Sequence, residues 1–236
     1  MTKIKPVIKE NNKQSISSWI LEKFPENYIN MRYIEPYVGN GSILLNKEKS
    51  VEEVVSDPDE SIINLWKVIK DECKILKNRL SKVKYAEKNF NELKNLSEKE
   101  KEYSKQAFYE LILRRMSKND NKQVFDVLDK KKASQSIPSL IESLDEITNR
   151  ISNVYFIKRK PIELISNFSN SNTLCFCSPD EKEKNKSDFL DVYEKLKAFR
   201  GKVVFCAENS PVYKRVFLGW KFTKNKNKNY VIWYNF

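Results

Sequence analysis

Histidine is absent from the 236-residue chain, and glycine (4), proline (8) and cysteine (4) are scarce. Without imidazole there is no Ser-His-Asp triad, no Cys-His pair and no His-ligated metal centre, and no metal is expected. The cysteines stand at 73, 175, 177 and 206, which fits neither a disulfide framework nor a zinc-knuckle spacing. Cys175, Cys177 and Cys206 fall in apolar, strand-like runs and read as buried packing residues. No apolar run approaches the ~20 residues of a membrane span, and the opening MTKIKPVIKENN lacks the apolar core of a signal peptide. A soluble, cytoplasmic protein without a membrane partner is the expectation. Whatever chemistry it carries is not histidine's.

What the chain does have is positive charge and enough apolar residues to bury a core. Lys and Arg number 44 against 32 Asp and Glu, a net charge of +12, while 40% of the residues are apolar and 12% aromatic. A field of that sign on a folded chain suits a phosphate polyanion. Basic residues cluster at Arg114, Arg115 and Lys118, at Lys130 to Lys132, at Lys158 to Lys160 and from Lys221 to Lys228. Phe108 and Tyr109 lie beside the first cluster, and Tyr155 and Phe156 beside the third, a mixture that suits backbone attraction with base stacking.

The apolar pattern divides the chain into three parts. SISSWILEKF (15–24) predicts an amphipathic helix, and MRYIEPYVGNGSILLN a strand, a glycine turn and a helix start. VEEVVSDPDE reads as a second strand, and SIINLWKVIKDECKILKNRL as a helix with Ile62, Leu65, Trp66, Ile69, Cys73 and Leu76 at helical spacing. Residues 80–150 are charged and helical in pattern, with a candidate strand only near Val124 to Leu128. Strands resume at NVYFIKR, NTLCFCSP and KVVFCAE, with SDFLDVYEKLKAF as a helix among them. WKFTKNKNKNYVIWYNF closes as a hairpin around an Asn/Lys turn. This pattern is an α/β, Rossmann-like sheet: an N-terminal part of the core over 1–71, a helical insertion over 72–150 and a C-terminal part over 151–236.

Two of the four glycines lie in Glu35-Pro36-Tyr37-Val38-Gly39-Asn40-Gly41-Ser42. A strand running into G-x-G and then a helix lets backbone come close to a ligand and aims N–H groups at it. Asp57 follows Gly39 by 18 residues, at the end of the second strand, where a carboxylate can accept both hydroxyls of a ribose.

At these residues the chain resembles the DNA adenine methyltransferases of the Dam class, which use S-adenosylmethionine. Their first motif is similar to Tyr33 through Ser42, and their second acidic motif to Ser56-Asp57-Pro58-Asp59. The likeness continues through Gly201 to Phe205, Asn209-Ser210-Pro211-Val212-Tyr213, Gly219-Trp220 and Val231 to Asn235. The resemblance implies a Rossmann-like methyltransferase sheet with a helical insertion and a C-terminal β-hairpin. It also implies a cofactor site at Lys9, Glu35, Tyr37, Gly39, Gly41 and Asp57, and DNA (or RNA) contacts from Arg114, Arg115 and Lys118 on the insertion.

Two motifs depart from the family. Lys5-Pro6 and Lys9 remain of its N-terminal Lys-Pro-x-x-Lys-Trp and Gly-Gly-Lys, but Glu10-Asn11-Asn12-Lys13 replaces the Trp and both glycines. Losing those contacts should cost about 2–4 kcal/mol of S-adenosylmethionine binding. The catalytic Asp-Pro-Pro-Tyr becomes Ser178-Pro179-Asp180-Glu181. In the family, the Asp and a backbone carbonyl accept the two N–H bonds of the adenine amine, and the Tyr stacks on the flipped base. Ser178, Pro179 and Asp180 therefore form a degenerate catalytic motif. The expectation is a nucleic-acid-binding, catalytically inactive relative that acts as a partner subunit, a site competitor or a specificity module in a larger assembly. The alternatives are an active adenine methyltransferase with a variant motif and a protein-interaction scaffold.

Overall fold

The computed structural model describes residues 4–8, 14–118, 122–179 and 186–236. Its strands are β1 (Arg32–Glu35), β2 (Glu52–Val55), β3 (Val154–Phe156), β4 (Thr173–Cys177), β5 (Lys202–Glu208), β6 (Lys221–Lys224) and β7 (Tyr230–Tyr234). Its α-helices are α1 (Ser17–Leu21), α2 (Ser42–Asn46), α3 (Glu60–Asp71), α4 (Cys73–Leu80), α5 (Glu87–Ser97), α6 (Tyr103–Met116), α7 (Lys130–Ile151), α8 (Pro161–Asn167), α9 (Lys186–Lys197) and α10 (Pro211–Val216). They fall into two compact units.

One unit comprises Ser15–Val38, Lys47–Pro58 and Asn153–Phe236 and contains the whole sheet. The strand order is β3-β2-β1-β4-β5-β7-β6. Five strands run parallel, and β7 is antiparallel to both β5 and β6. The chain steps outward from β1 to β3 and returns to lay β4 against the other side of β1. That reversal is a topological switch point at the carboxyl ends of β1 and β4, the place where α/β sheets of this kind bind ligands. Every residue of β4 is buried, which explains why TLCFC shows no alternation: a central parallel strand is covered on both faces. The expected Rossmann-like sheet with its C-terminal hairpin is present.

On one face Ile34, Cys175, Cys177, Phe205 and Trp233 join Leu164, Leu196 and Phe217 from the segments around α8, α9 and α10. The rings of Phe205 and Phe217 lie 4.7 Å apart. On the other face Phe24 meets Tyr33 and Phe176, with centroids at 6.1 and 5.9 Å. Lys47 and Glu53 are buried as an ion pair, and the Lys47 ammonium sits 4.3 Å from the centre of the Tyr33 ring. A lysine so buried is tolerable because an anion and a π face replace its water.

The helix expected over 15–24 is shorter. A 3₁₀ turn at Gln14–Ile16 leads into α1, after which Lys23 and Phe24 donate to the carbonyls three residues back and Pro25 stops the run. Helices α8 and α10 go beyond the expected pattern. Each starts with proline, whose missing N–H costs nothing in a first turn, and Ser210 caps α10.

The other unit comprises Met1–Gln14, Gly39–Asn46 and Asp59–Ser152. From α3 to α7 its described elements are helices, whose apolar stripes (Trp66 and Ile69, Leu111 and Ile112, Leu144 and Ile147) are fully buried. Asp59 and Asp129 cap α3 and α7 by accepting from the N–H groups of Ser61 and Lys132. The strand considered near Val124 to Leu128 does not form. A single antiparallel bridge joins Ser117 to Phe125, and Val124 and Val127 stay exposed. Residues of high strand propensity need a partner strand to cover them, and none reaches this loop among the described residues. Pro138 lies inside α7 and leaves the Ser134 carbonyl without its usual i+4 donor.

Candidate functional site

The sheet brings three of the motif segments to neighbouring strand ends. Where β1 ends, the Ser56 N–H donates to the Glu35 carbonyl at 2.9 Å and the Val38 N–H to the Ser56 carbonyl at 3.0 Å. These two bonds hold the exits of β1 and β2 side by side, carrying Glu35 and Tyr37 on one and Asp57 on the other. The Glu35 carboxylate is buried and accepts the Tyr33 hydroxyl at 2.8 Å. Burial, and then the Glu35 charge, push the Tyr33 phenol well above its ordinary value, so this bond keeps its proton on tyrosine. Tyr37 packs half-buried against the aromatic core, and Asp57 is half-exposed.

The glycine turn belongs to the helical unit, and it is built from both sides. Gly39 has φ +47° and Gly41 φ +71°, a region that costs other residues steric strain. A Cβ at Gly39 would meet nothing within 4 Å, so that backbone is open to approach. A Cβ at Gly41 would lie 2.6 Å from Cζ2 of Trp66. Trp66, fully buried on α3, also donates its indole N–H to the Gly39 carbonyl at 3.0 Å. Asn40 folds its Oδ1 onto the Ser42 N–H at 3.1 Å and leaves its Nδ2 buried with no hydrogen-bond partner. The turn is thus clamped from beneath by one tryptophan while its Gly39 side stays clear. The sequence shows Trp66 as one apolar residue in a helical stripe; its hold on the turn depends on two segments 27 residues apart.

At the end of β4 the degenerate motif starts with Ser178, 4% exposed, whose hydroxyl donates to the Cys206 carbonyl on β5 at 2.7 Å. Pro179 is buried. Asp180, with Glu181, lies outside the described residues, as do Lys9 and Glu10 to Lys13. Beside this strand end, Tyr193 and Tyr213 stack edge to face at 5.6 Å. Burial, reinforced by a hydrogen bond with Tyr213, raises the Tyr193 phenol far above its usual range. Neither ring was singled out as a partner of the other by the sequence, because they sit on different helices. Cys175, Cys177 and Cys206 are fully buried, as expected, and burial raises the Cys175 thiol well above normal.

The basic residues expected to contact nucleic acid are largely committed within the helical unit. Arg114 pairs with Glu110 and, at 3.2 Å, with Asp59, the cap of α3. Arg115 donates to Ser136 Oγ at 3.2 Å and the Ser136 carbonyl at 3.1 Å, and burial lowers its pKa. Lys118 alone of the three is exposed. Among the described residues, no group of three or more acidic or thiol side chains could hold a metal ion. No helix there is long and apolar enough to cross a membrane.

Each unit carries groups whose chemistry suits a nucleoside: in the helical unit an open Gly39 backbone and an unused amide donor on Asn40, and in the sheet unit a half-exposed carboxylate at Asp57. No curated protein matches the chain. The family model for D12 class N6 adenine-specific DNA methyltransferases matches residues 12–179, from ahead of α1 through Pro179 of the degenerate motif. With strands β1 to β4 of the sheet, the glycine turn and the acidic residue after β2 falling inside that match, the chain belongs to the D12 class N6 adenine-specific DNA methyltransferase family.

Proposed function

We propose that this member of the family binds nucleic acid without transferring a methyl group. The observation that carries the reading is Ser178. Where the family places a carboxylate, this chain has a neutral, buried hydroxyl whose proton is given to the Cys206 carbonyl. The exocyclic amine of adenine is a poor nucleophile because its lone pair is delocalised into the ring. Drawing it out takes acceptors aimed at its two N–H bonds. A serine oxygen offers one neutral acceptor, and a charged acceptor is worth roughly twice a neutral one. Glu181 removes the stacking ring as well.

S-adenosylmethionine, when bound, supplies a methyl group made electrophilic by its sulfonium. The residues that would hold it are Gly39 and Gly41 through their backbone, and Asp57 through a ribose. The changes at Glu10 to Lys13 would take an ordinary micromolar affinity, about −8 kcal/mol, toward the millimolar range. The active alternative draws its support from the glycine turn, which Trp66 holds in shape with Gly39 open.

Incubation of the full chain with unmethylated duplex DNA and tritiated S-adenosylmethionine separates the two readings. Background incorporation is expected. Incorporation that a Gly39→Trp variant abolishes would establish the enzyme instead. Calorimetry with the same cofactor should give a dissociation constant well above 10 micromolar, roughly the weakening worked out above.

A further inference from the structure

The chain's charge is distributed unevenly once the ion pairs are drawn. Residues 59–152 hold 20 Lys and Arg against 16 Asp and Glu. Those cations include five in ion pairs inside the helical unit: Arg114 with Glu110 and Asp59, Lys122 with Glu110, Lys77 with Asp145, Arg79 and Lys105 with Glu102. Residues 209–236 hold Lys214, Arg215, Lys221, Lys224, Lys226 and Lys228 and no Asp or Glu at all. Those 28 residues therefore carry half of the net +12. All six cations are exposed, and none forms an ion pair with the described residues. The acid before them, Glu208, ends β5 and has interactions of its own.

Hydrogen bonds close the hairpin that carries four of those charges. Asn225 Oδ1 accepts the N–H groups of Asn227 and Lys228, both at 3.0 Å, and the Asn225 N–H donates to the Tyr230 carbonyl at 2.9 Å. The Asn209 N–H donates to the Asn229 carbonyl at 3.0 Å, tying the hairpin tip to the approach to α10. In β6, the edge strand, Phe222 stands opposite Trp233 and Lys224 opposite Val231. Directly opposed residues share a face, so Phe222 and Lys224 lie on the face that α10 covers through Tyr213 and Phe217. Lys214 and Arg215 ride on α10 itself. Phe222 remains 59% exposed amid these cations. A row of exposed cations, on a segment without Asp or Glu and with no ion pair among the described residues, around an exposed ring is complementary to a phosphate backbone with a stackable base nearby.

We infer that α10 and the β6–β7 hairpin form the main phosphate-binding surface of this protein for duplex DNA, in place of Arg114 and Arg115. The inference rests on the nucleic-acid-binding reading above.

The test uses the full chain and fluorescence anisotropy with a labelled DNA duplex across a salt series. Each lysine–phosphate contact adds about 0.9 to the slope of log K against log salt, or roughly eight-fold in affinity at 0.1 M salt. The triple variant Lys224→Gln, Lys226→Gln, Lys228→Gln should flatten the slope by about one to three and weaken binding by roughly 10- to 500-fold. Lys214→Gln with Arg215→Gln should flatten it further. The same three lysines changed to arginine should keep both slope and affinity, which controls for folding of the hairpin. The matched triple Lys130→Gln, Lys131→Gln, Lys132→Gln in the helical unit should leave most of the slope in place. If the wild type binds with a steep slope that the hairpin variants leave unchanged, this inference falls and the nucleic-acid reading stands. A wild type that shows no salt-sensitive DNA affinity overturns both, as does binding to phosphatidylserine vesicles alone.

Discussion

Alanine at Gly41 and at Gly39 separates two costs that usually come together. Both glycines have positive φ, so either substitution places an L side chain in the left-handed region at about 1–2 kcal/mol. At Gly39 the new methyl enters open space, and nothing more is expected. At Gly41 it lands 2.6 and 2.8 Å from Cζ2 and Cη2 of Trp66. That ring is fully buried and held by its bond to the Gly39 carbonyl, so it cannot swing aside cheaply. Overpacking of this kind costs about 1–3 kcal/mol. Gly41→Ala should therefore lose about 2–5 kcal/mol and Gly39→Ala about 1–2 kcal/mol, read as shifts in urea unfolding midpoints followed by circular dichroism. Trp66→Phe shortens the ring but gives up the indole bond, so the double variant Gly41→Ala, Trp66→Phe should fall short of the summed single losses by about 1–2 kcal/mol. Equal losses at the two glycines, or strict additivity with Trp66→Phe, would refute the view that tryptophan sets the shape of the turn.

Arg115→Ala should cost about 2 kcal/mol of stability, because it leaves Ser136 and the helix backbone without a charged donor, while the salt dependence of DNA binding stays put. A flattened slope in that variant would place the arginine on the nucleic acid. Tyr85 donates to the Asp126 carbonyl at 3.0 Å, and burial, then the Asp126 charge, push its phenol up to about 12. Its folded pKa exceeds the unfolded value near 10, so the unfolded chain loses the proton first and stability falls as pH rises from about 10 to 12. Urea midpoints at pH 9 and pH 11 should drop less for Tyr85→Phe than for the wild type; parallel drops would show that the phenol is not shifted.

Much of this protein is local in origin and was legible in its residues. Periodicity marks α3 and α7, and unbroken apolar runs mark β4 and β5, because a buried stripe or a doubly covered strand must be apolar wherever it sits. The Gly39-Asn40-Gly41 turn and Asp57 after β2 follow from backbone geometry at two strand exits, and these residues carry the resemblance to the family that the match over 12–179 shows. Short elements escaped. The proline-started α8 and α10 span only 7 and 6 residues, too few for a period to show, and Val124 to Leu128 has strand-like residues without a neighbour to pair with. The fate of individual charges was least legible of all. Arg114 reads as a free cation on a helix face until α3 brings Asp59, 55 residues earlier, to within 3.2 Å. Ser178 reads as a polar residue at a strand end until β5 offers it the Cys206 carbonyl. Composition fixes how much charge and polarity a chain carries, but neutralisation needs two groups within hydrogen-bond reach. Which groups meet is decided by packing between segments far apart in sequence.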